Sequence, residues 1–292
     1  MSPHPVPVTT PLSHADVLAV ERAEAEYFRR FLDRAPTPDR ERLGISTASV
    51  RGGVVAVVTA DPSRYWTKAL GFGADGPVDD TLVAEVVDVS TAAGATEGVL
   101  AIAPAFLPTD WSAICERHGL VAASRWAKSV RAVDDDGDTD ADADAETEDT
   151  RTARTDLPVR RLTVDDVPGW ARIIREAFGM NEPDLSPMLR GAVEDPVAHV
   201  FGAFDGDLLV GAAALHVVDG VGSLNTGGTL PSRRGRGVQS ALIAARAAAA
   251  RAAGCRLLTA ETGGAETDPS YRNLGRAGFV RAYHRVNWRW TA

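Results

Sequence analysis

The acidic segment Asp134–Asp149 is the feature that most constrains how this chain of 292 residues can fold. It contains ten Asp or Glu residues and no Lys or Arg, and alanine is its largest apolar residue. Such a segment buries too little apolar surface to offset the entropy of ordering its backbone, and its like charges repel one another. We therefore expect an extended, disordered linker over residues 134–156, between one domain at 1–133 and a second at 157–292.

The acidity of the chain belongs to this linker and not to the two domains. The formal net charge is −9, and removing the −10 of residues 134–149 leaves +1 for the rest of the chain. The charge therefore says little about a partner. The alternating aspartates superficially resemble a calcium-binding loop, but glycine at the sixth position, the closing Glu and the flanking helices are absent, so we expect no metal site.

The sequence predicts neither secretion nor a membrane span. It has no run of about 18–20 apolar residues, and residues 1–17 lack a basic region followed by an apolar one. Cys115 and Cys255 lie in different halves and have neither a disulfide pattern nor metal-ligand spacing. We interpret them as small core residues of a reduced, cytoplasmic protein.

Residues 157–292 alternate predicted strands and helices. Strands are predicted at Val159–Leu162, Ala198–Phe204, Leu208–Val218, Val221–Leu230, Cys255–Glu261 and Phe279–Trp290, and helices from Asp165 or Asp166 to Phe178, at Val238–Ala253 and at Asp268–Ala277. An antiparallel meander followed by a β-α-β-α-β order predicts an α+β, or mixed α/β, fold.

The most informative segment is Thr229-Leu-Pro-Ser-Arg-Arg-Gly-Arg-Gly-Val238, where a predicted strand ends and a long helix begins. Backbone N–H groups at the N-terminus of a helix, reinforced by the helix dipole, form an anion site. Gly235 and Gly237 allow the main chain to approach a pyrophosphate closely because they have no Cβ. The three arginines of the segment add positive charge around it.

Three other interpretations of this segment remain open. They are a solvated basic turn, a dinucleotide-binding fingerprint and a nucleic-acid contact. The fingerprint is disfavoured because Ser240 stands where its third glycine belongs. Nucleic acid is disfavoured because no aromatic platform accompanies the arginines, so we expect no nucleic-acid partner.

With these residues, the second half resembles the GNAT N-acetyltransferase superfamily. The acetyl-CoA loop of that family has the pattern Gln/Arg-x-x-Gly-x-Gly/Ala between a strand and a helix. Gly235 and Gly237 match this pattern, whereas Ser232 replaces the usual Gln or Arg. The resemblance covers nearly all of 157–292.

A second pattern of the family, Asn-x-x-Ala-x-x-x-Tyr followed by x-x-x-Gly-Phe, is partly present. Gly278 and Phe279 match it at the right distance from the loop. Thr267 and Ser270 stand at the Asn and Ala positions, and Leu274 replaces the tyrosine that usually acts as the acid.

The resemblance implies two GNAT-like domains, each with a twisted, mostly antiparallel, splayed sheet flanked by helices. It implies acetyl-CoA as the acyl donor, with pantetheine between the strands Val221–Leu230 and Cys255–Glu261. The implied cofactor-binding residues are Thr229, Leu230, Arg233, Arg234, Gly235, Arg236, Gly237, Val238 and Asn273. The implied reaction moves an acetyl group to an amine of a small-molecule acceptor, by direct attack in a ternary complex, in a monomer or a homodimer.

The residues that move protons are harder to predict. Glu261 ends the strand beside the splay and is our candidate general base, with a surface carboxylate as the alternative. Tyr271 lies one helical turn before Leu274 and is our candidate for the missing phenol, with packing against the sheet as the alternative. His216 has a suitable intrinsic pKa but lies on a hairpin strand, so we expect a structural role.

The end of the first half has two short sequence patterns that recur, with similar spacing, at the end of the second half. The sequence Ala-Ala-Gly occurs at 92–94 and at 252–254, and Arg-x-Gly-Leu-Val-x-Ala at 117–123 parallels Arg-x-Gly-Phe-Val-x-Ala at 276–282. Two matches in register predict an internal duplication.

At the position that corresponds to the arginine loop, the first half has Asp75, Asp79 and Asp80, which would repel a phosphate. We therefore expect a degenerate copy that serves as a structural partner and as part of the acceptor pocket wall. Two alternatives for the whole chain stay open because the tyrosine is missing. They are non-acetyl acyl-CoA chemistry on the same scaffold and a non-catalytic acetyl-CoA sensor.

Overall fold

The computed structural model describes residues 12–133, 157–179, 184 and 186–292, so the predicted linker at 134–156 lies outside the described residues. The first half contains the helices α1 (His14–Asp33), α2 (Thr37–Leu43), α3 (Asp80–Ala92) and α4 (Trp111–His118), and the strands β1 (Ile45–Val50), β2 (Gly53–Val58), β3 (Lys68–Leu70), β4 (Glu97–Ala101) and β5 (Val121–Ala132).

The second half contains the helices α5 (Val167–Phe178), α6 (Ser186–Glu194), α7 (Val238–Ala252) and α8 (Pro269–Arg276), and the strands β6 (Val159–Arg161), β7 (Ala198–Asp205), β8 (Leu208–Val218), β9 (Val221–Thr229), β10 (Leu257–Gly263) and β11 (Val280–Thr291). These elements confirm the predicted strands and helices with small shifts of their ends. The sequence did not predict α6, whose Pro187 and Gly191 lower its helix propensity.

The strands form one sheet of eleven strands, in the order β1-β2-β3-β4-β11-β5-β10-β9-β8-β7-β6. Most neighbouring strands are antiparallel, and β3 with β4 and β9 with β10 are parallel. The sheet is flanked by helices, which confirms the predicted mixed α/β fold. None of the helices in the described part of the chain is long and apolar enough to cross a membrane.

The two halves exchange their last strands within this sheet. β5, the last described strand of the first half, lies between β10 and β11 of the second half. In return β11 pairs with β4 of the first half. Apart from the short β6, both halves have the same order of elements, α-α-β-β-β-α-β-α-β. Each half therefore supplies a strand that completes the sheet of the other.

The parallel strands β9 and β10 separate part-way along their length. They are paired only from Val221 with Leu257 to Leu224 with Ala260. Beyond this point β9 follows β8 as far as Thr229, whereas β10 follows β5 to Gly263. Their facing edges are left unpaired, which is the splay that the family resemblance implied between these strands.

Helix α1 crosses the sheet at the junction of the two halves. Most of its buried residues are apolar and belong to the core, among them Phe28 and Leu32. The same buried face carries Glu21 and Glu24, which are 1% and 6% exposed. Two carboxylates at this depth require cationic partners.

Candidate active site

A cavity of about 520 Å³ lies where β9 and β10 diverge. The first half contributes Glu24, Tyr27, Phe28, Phe31, Tyr65, Trp66, Trp126 and Lys128, and the second half contributes residues of α5, α6, β9, α7, β10 and α8, among them Arg246, Glu261, Ser270 and Leu274. The cavity thus extends through the open part of the sheet, from α1 on one side to α7 and α8 on the other. The first half thus contributes part of the cavity wall, and its predicted role in an acceptor pocket stays a prediction.

The arginine-glycine loop leads directly into α7. After a short 3-10 turn at Pro231–Arg233, Gly235 and Gly237 adopt left-handed φ angles of 76° and 74°. Gly237 caps α7 without a side-chain hydrogen bond, and the amide of Ala241 is the first to bond back, to the Gly237 carbonyl at 3.0 Å. The three preceding amides therefore have no helical partner and are free to donate to an anion.

The surroundings of this loop fit a pyrophosphate. A Cβ built on Gly235 meets no other atom within 4 Å, so the space beside it is open. The guanidinium groups of Arg233 and Arg236 lie 3.2 and 2.9 Å from the Asp205 carboxylate. Arg234 donates to the carbonyl of Ala177 at 3.4 Å. Guanidinium groups beside unpaired amides are the donors that phosphate oxygens prefer.

Three other residues predicted to bind the cofactor occupy structural positions beside this loop. Thr229 pairs with Gly211 of β8, and the Leu230 amide donates to the carbonyl of Val210 at 2.9 Å. Val238 is buried at the start of α7. These contacts fix the direction of the loop as it leaves β9.

Asn273 ties α8 to α7 and does not line the cavity. Its Nδ2 donates to Gln239 Oε1 at 2.7 Å, and its Oδ1 accepts from Arg276 at 2.7 Å. Gln239 in turn donates to Ser270, and both of these residues line the cavity. Asn273 is therefore connected to the cavity only indirectly, through its hydrogen bond to Gln239.

Glu261 belongs to a buried cluster of charges formed by both halves. Arg285 donates to Glu261 Oε2 at 2.5 Å, and Lys128 Nζ lies 3.2 Å from the same oxygen. Glu24 accepts from Arg285 and from Lys128, and Glu21 accepts from Arg285 at 2.7 Å. Burial raises the pKa of Glu24, but the cations of Arg285 and Lys128 outweigh it and hold that pKa well below its usual range.

One oxygen of Glu261 stays available in the cavity. Both of its cationic contacts are made by Oε2, and Oε1 has no hydrogen-bond partner among the described residues. The carboxylate is therefore fixed by two cations on one side and offers a single acceptor atom on the other.

Tyr271 lies outside the cavity lining. Its hydroxyl accepts a hydrogen bond from Arg281 at 3.3 Å, near the surface of α8. Ser270 and Leu274 of the same helix line the cavity instead. This placement does not support the predicted role of Tyr271 as the acid, because a group that protonates the leaving atom must reach it.

His216 is fully buried in β8, in agreement with a structural role. Its Nδ1 lies 3.2 Å from the Asn225 amide nitrogen, and its ring lies 4.9 Å from the ring of Tyr27. Burial lowers the pKa of His216 to about 4, so the imidazole is neutral near neutral pH.

Arg246 of α7 is a buried cation that lines the cavity, and the sequence did not single it out. It donates to the carbonyls of Leu242 and Ala214 and forms no ion pair with a described residue. Burial lowers its pKa to about 9.

Glu24, Lys128 and Arg285 were also missed by the sequence interpretation. A signal was present, because Glu24 and Glu21 lie three residues apart on the apolar face of α1, where charge is unusual. Lys128 and Arg285 gave no comparable signal, since a cation in a strand usually faces solvent.

In the first half, the N-terminus of α3 is already occupied by a carboxylate. Asp79 caps this helix, and its Oδ1 accepts from the amide of Leu82 at 2.8 Å. That hydrogen bond, more than any other contact, lowers the pKa of Asp79. Asp80 pairs with Arg117 at 2.6 Å. Asp79, one of the aspartates predicted to repel a phosphate, thus places its own carboxylate at the N-terminus of α3.

Residues 167–279 match the model of the acetyltransferase (GNAT) family. No curated protein matches the chain. The fold resembles a GCN5-related N-acetyltransferase from Kribbella flavida, with 16% identity, a TM-score of 0.54, and coverage of 92% of this chain and 94% of that chain.

Two further solved structures share the fold over nearly the whole chain. A GCN5-related N-acetyltransferase from Sphaerobacter thermophilus has 16% identity and a TM-score of 0.55, covering 96% of this chain and 94% of that chain. A functionally unknown conserved protein from Staphylococcus epidermidis has 10% identity and a TM-score of 0.53, covering 89% and 99%. The splayed strands and the glycine loop both lie within residues 167–279, the part of this chain that matches the GNAT acetyltransferase family.

Proposed function

We propose that the protein transfers an acetyl group from acetyl-CoA to an amine of a small-molecule acceptor, within a ternary complex. The observation that carries this proposal is the separation of β9 from β10 beside the N-terminus of α7. The unpaired strand edges line the cavity, and Gln239 in the first turn of α7 lines it too, so the anion site of the loop at 229–238 lies next to the cavity and outside its lining. Acetyl-CoA supplies the activated thioester when it is bound.

The donor is held by main-chain groups more than by side chains in this proposal. The free amides at the start of α7, with Gly235 and Gly237, take the pyrophosphate. The unpaired edge of β9, as far as Thr229, offers backbone groups to the amides of pantetheine. Much of the rate enhancement then comes from positioning, which contributes up to about 7–11 kcal/mol in well-oriented systems.

The acceptor approaches from the side of α1, where Glu261 Oε1 faces the cavity. This oxygen can hold the ammonium and take up its proton as the amine becomes a nucleophile. Glu261 therefore remains our candidate general base. Tyr271 remains a prediction from the sequence that the structure does not support, and solvent then protonates the departing thiolate.

The first half is, in this proposal, a degenerate copy of the same domain. The shared order of elements supports a duplication, and the Asp79 cap on α3 supports the loss of donor binding. The aromatic residues of α1 and Trp126 of β5 give the first half a role in the acceptor site. The buried free thiols of Cys115 and Cys255 fit the predicted cytoplasmic location.

A second candidate, a longer acyl donor with a terminal carboxylate, is favoured by Arg246. A buried guanidinium without an anionic partner is costly, and an acyl carboxylate in the cavity would pair with it. The reaction on the amine would otherwise be the same.

The test is to incubate the full chain with a panel of amines and either acetyl-CoA or succinyl-CoA, and to identify the products by mass spectrometry. Acetylated amine is expected, and it should be absent with the Gly235→Asp variant. Succinylated amine as the preferred product would favour the second candidate. Donor binding without any product would contradict acyl transfer and indicate a sensor module.

A further inference from the structure

The cavity wall from the first half is largely aromatic. Besides Glu24 and Lys128, it contains six aromatic residues, which are Tyr27, Phe28 and Phe31 of α1, Tyr65 and Trp66 of the segment before β3, and Trp126 of β5. We call these six residues the aromatic wall. Large, flat, apolar surfaces of this kind suit a ligand that is itself flat and apolar.

The aromatic wall is held in place by contacts among its own rings. Trp66 stacks on Phe31 with ring centroids 5.0 Å apart and planes 11° apart. Tyr65 meets Trp66 edge-on at 5.0 Å and lies 6.3 Å from Trp126. Trp66 is only 6% exposed, whereas Tyr65 is 36% exposed. The buried rings thus fix the accessible ones before any ligand binds, which reduces the entropy lost on binding.

Strand register brings this wall close to the carboxylate of Glu261. On β5, Trp126 and Lys128 are two residues apart and share a face of the sheet. Lys128 is opposite Glu261 on β10, and Trp126 is opposite Gly263, which has no side chain to cover the ring. The backbone positions of Trp126 and Glu261 are therefore offset by two residues, or about 7 Å, along the strands.

Only one carboxylate oxygen of this cluster is available to a ligand cation. Both oxygens of Glu24 accept from Lys128 or Arg285, and both oxygens of Glu21 accept from Tyr283 or Arg285. Glu261 Oε1 is without a partner among the described residues. This cluster therefore offers an acceptor to one ammonium group.

We propose that the acceptor is a primary amine joined by a short aliphatic spacer to an aromatic ring. Its ammonium binds Glu261 Oε1, and its ring packs against Tyr65 and Trp126. This inference rests on the proposed function, because it identifies the substrate class of the same cavity. Polyamines and aminosugars suit this wall less well, since charges and hydroxyls placed against its rings would have no partners there.

The test measures binding by calorimetry on the full chain, saturated with CoA, which has no acyl group to transfer. The probes are phenethylamine, its neutral analogue phenethyl alcohol, and spermidine. We expect phenethylamine to bind about 10-fold or more tightly than spermidine. Equal affinity for these two amines, or tighter binding of spermidine, would overturn the inference.

Two variants separate the contribution of the charge from that of the ring. Glu261→Gln should weaken phenethylamine about 10-fold and leave phenethyl alcohol unchanged, because only the amine carries a charge. Trp126→Leu should weaken both probes. Val121→Ala is the matched control, since Val121 lies on the same strand, is 55% exposed and is outside the cavity lining. Unchanged affinity in Trp126→Leu, with its fold checked by circular dichroism, would contradict the proposal even if Glu261→Gln fails to fold.

Product analysis distinguishes this inference from the proposed function. If phenethylamine binds as described but no amine is acylated, acyl transfer is wrong and the ligand class stands. If another class of amine is acylated while phenethylamine neither binds nor reacts, the ligand class is wrong and acyl transfer stands.

Discussion

Lys128 and Glu261 lie directly opposite each other on neighbouring antiparallel strands, with Nζ 3.2 Å from Oε2, although they come from different halves of the chain. Arg285 bonds the same oxygen of Glu261, and both cations also bond Glu24. The carboxylate proposed to act on the acceptor is thus fixed by the same charges that join the two halves. Site geometry and folding stability are coupled at this point.

Removing one member of this cluster should therefore destabilise the whole chain. We expect Lys128→Met to lower the free energy of unfolding by about 3–5 kcal/mol, because it removes one of the two cations that bond the buried carboxylates of Glu24 and Glu261. Urea denaturation followed by circular dichroism measures this change. Arg22→Met is the control, since Arg22 pairs with Asp219 at the surface, where both side chains are more than 60% exposed and an ion pair contributes about 1 kcal/mol or less. Equal effects of the two variants would contradict the coupling.

The glycine loop is tested by introducing a carboxylate. We expect Gly235→Asp and Gly237→Asp each to abolish acetyl-CoA binding in calorimetric titration, because a negative charge would face the pyrophosphate. Gly254→Asp at the opposite end of α7 is the matched control, since Gly254 has a similar φ of 71° and equally open surroundings. Unchanged affinity in both loop variants would leave a solvated basic turn as the interpretation.

The two halves should differ in donor binding. We expect one acetyl-CoA per chain, because the Asp79 carboxylate occupies the N-terminus of α3 whereas the N-terminus of α7 is open. The full chain must be titrated, since β5 pairs only with strands of the second half. A stoichiometry near two per chain would show that the first half is not degenerate.

Glu261 and Tyr271 should respond differently to substitution. We expect Glu261→Gln to lower kcat about 10-fold or more, most strongly at low pH, where fewer acceptor amines are already neutral. Tyr271→Phe should stay within about twofold of the original kcat, because its hydroxyl bonds Arg281 away from the cavity. Steady-state kinetics at several pH values decide both. A 10-fold loss in Tyr271→Phe, at about unchanged donor affinity, would restore the role predicted from the sequence.

His216 should make the fold sensitive to acid. Its pKa is about 4 in the folded protein and about 6.5 when unfolded, so the unfolded chain binds more protons between these values. Stability contributed by the neutral ring is full above the unfolded pKa and falls as the pH drops towards the folded one, by about 3 kcal/mol in total. Denaturation at a series of pH values should show a shallower acid loss in His216→Gln. The same slope in both proteins would exclude His216 as the cause.

The sequence by itself determined the features that depend on neighbouring residues. Composition alone identifies the acidic segment 134–149, and periodicity with glycine stops gives the elements of the second half. The loop at Gly235 and Gly237 could also be predicted from neighbouring residues. Glycine adopts the left-handed φ angles of this loop without steric strain. The aspartates before α3 could also be predicted to oppose phosphate, since that argument needs only their charge and position.

Only the tertiary structure decided which strands are exchanged and which charges meet. Arg285 and Glu21 are 264 residues apart, and Lys128 and Glu24 are 104 apart, so no local pattern connects them. The rotation of α8 likewise decided that Leu274 faces the cavity while Tyr271 bonds Arg281. These outcomes depend on packing between distant segments, where burial forces each charge to find a partner and each ring to find a neighbour.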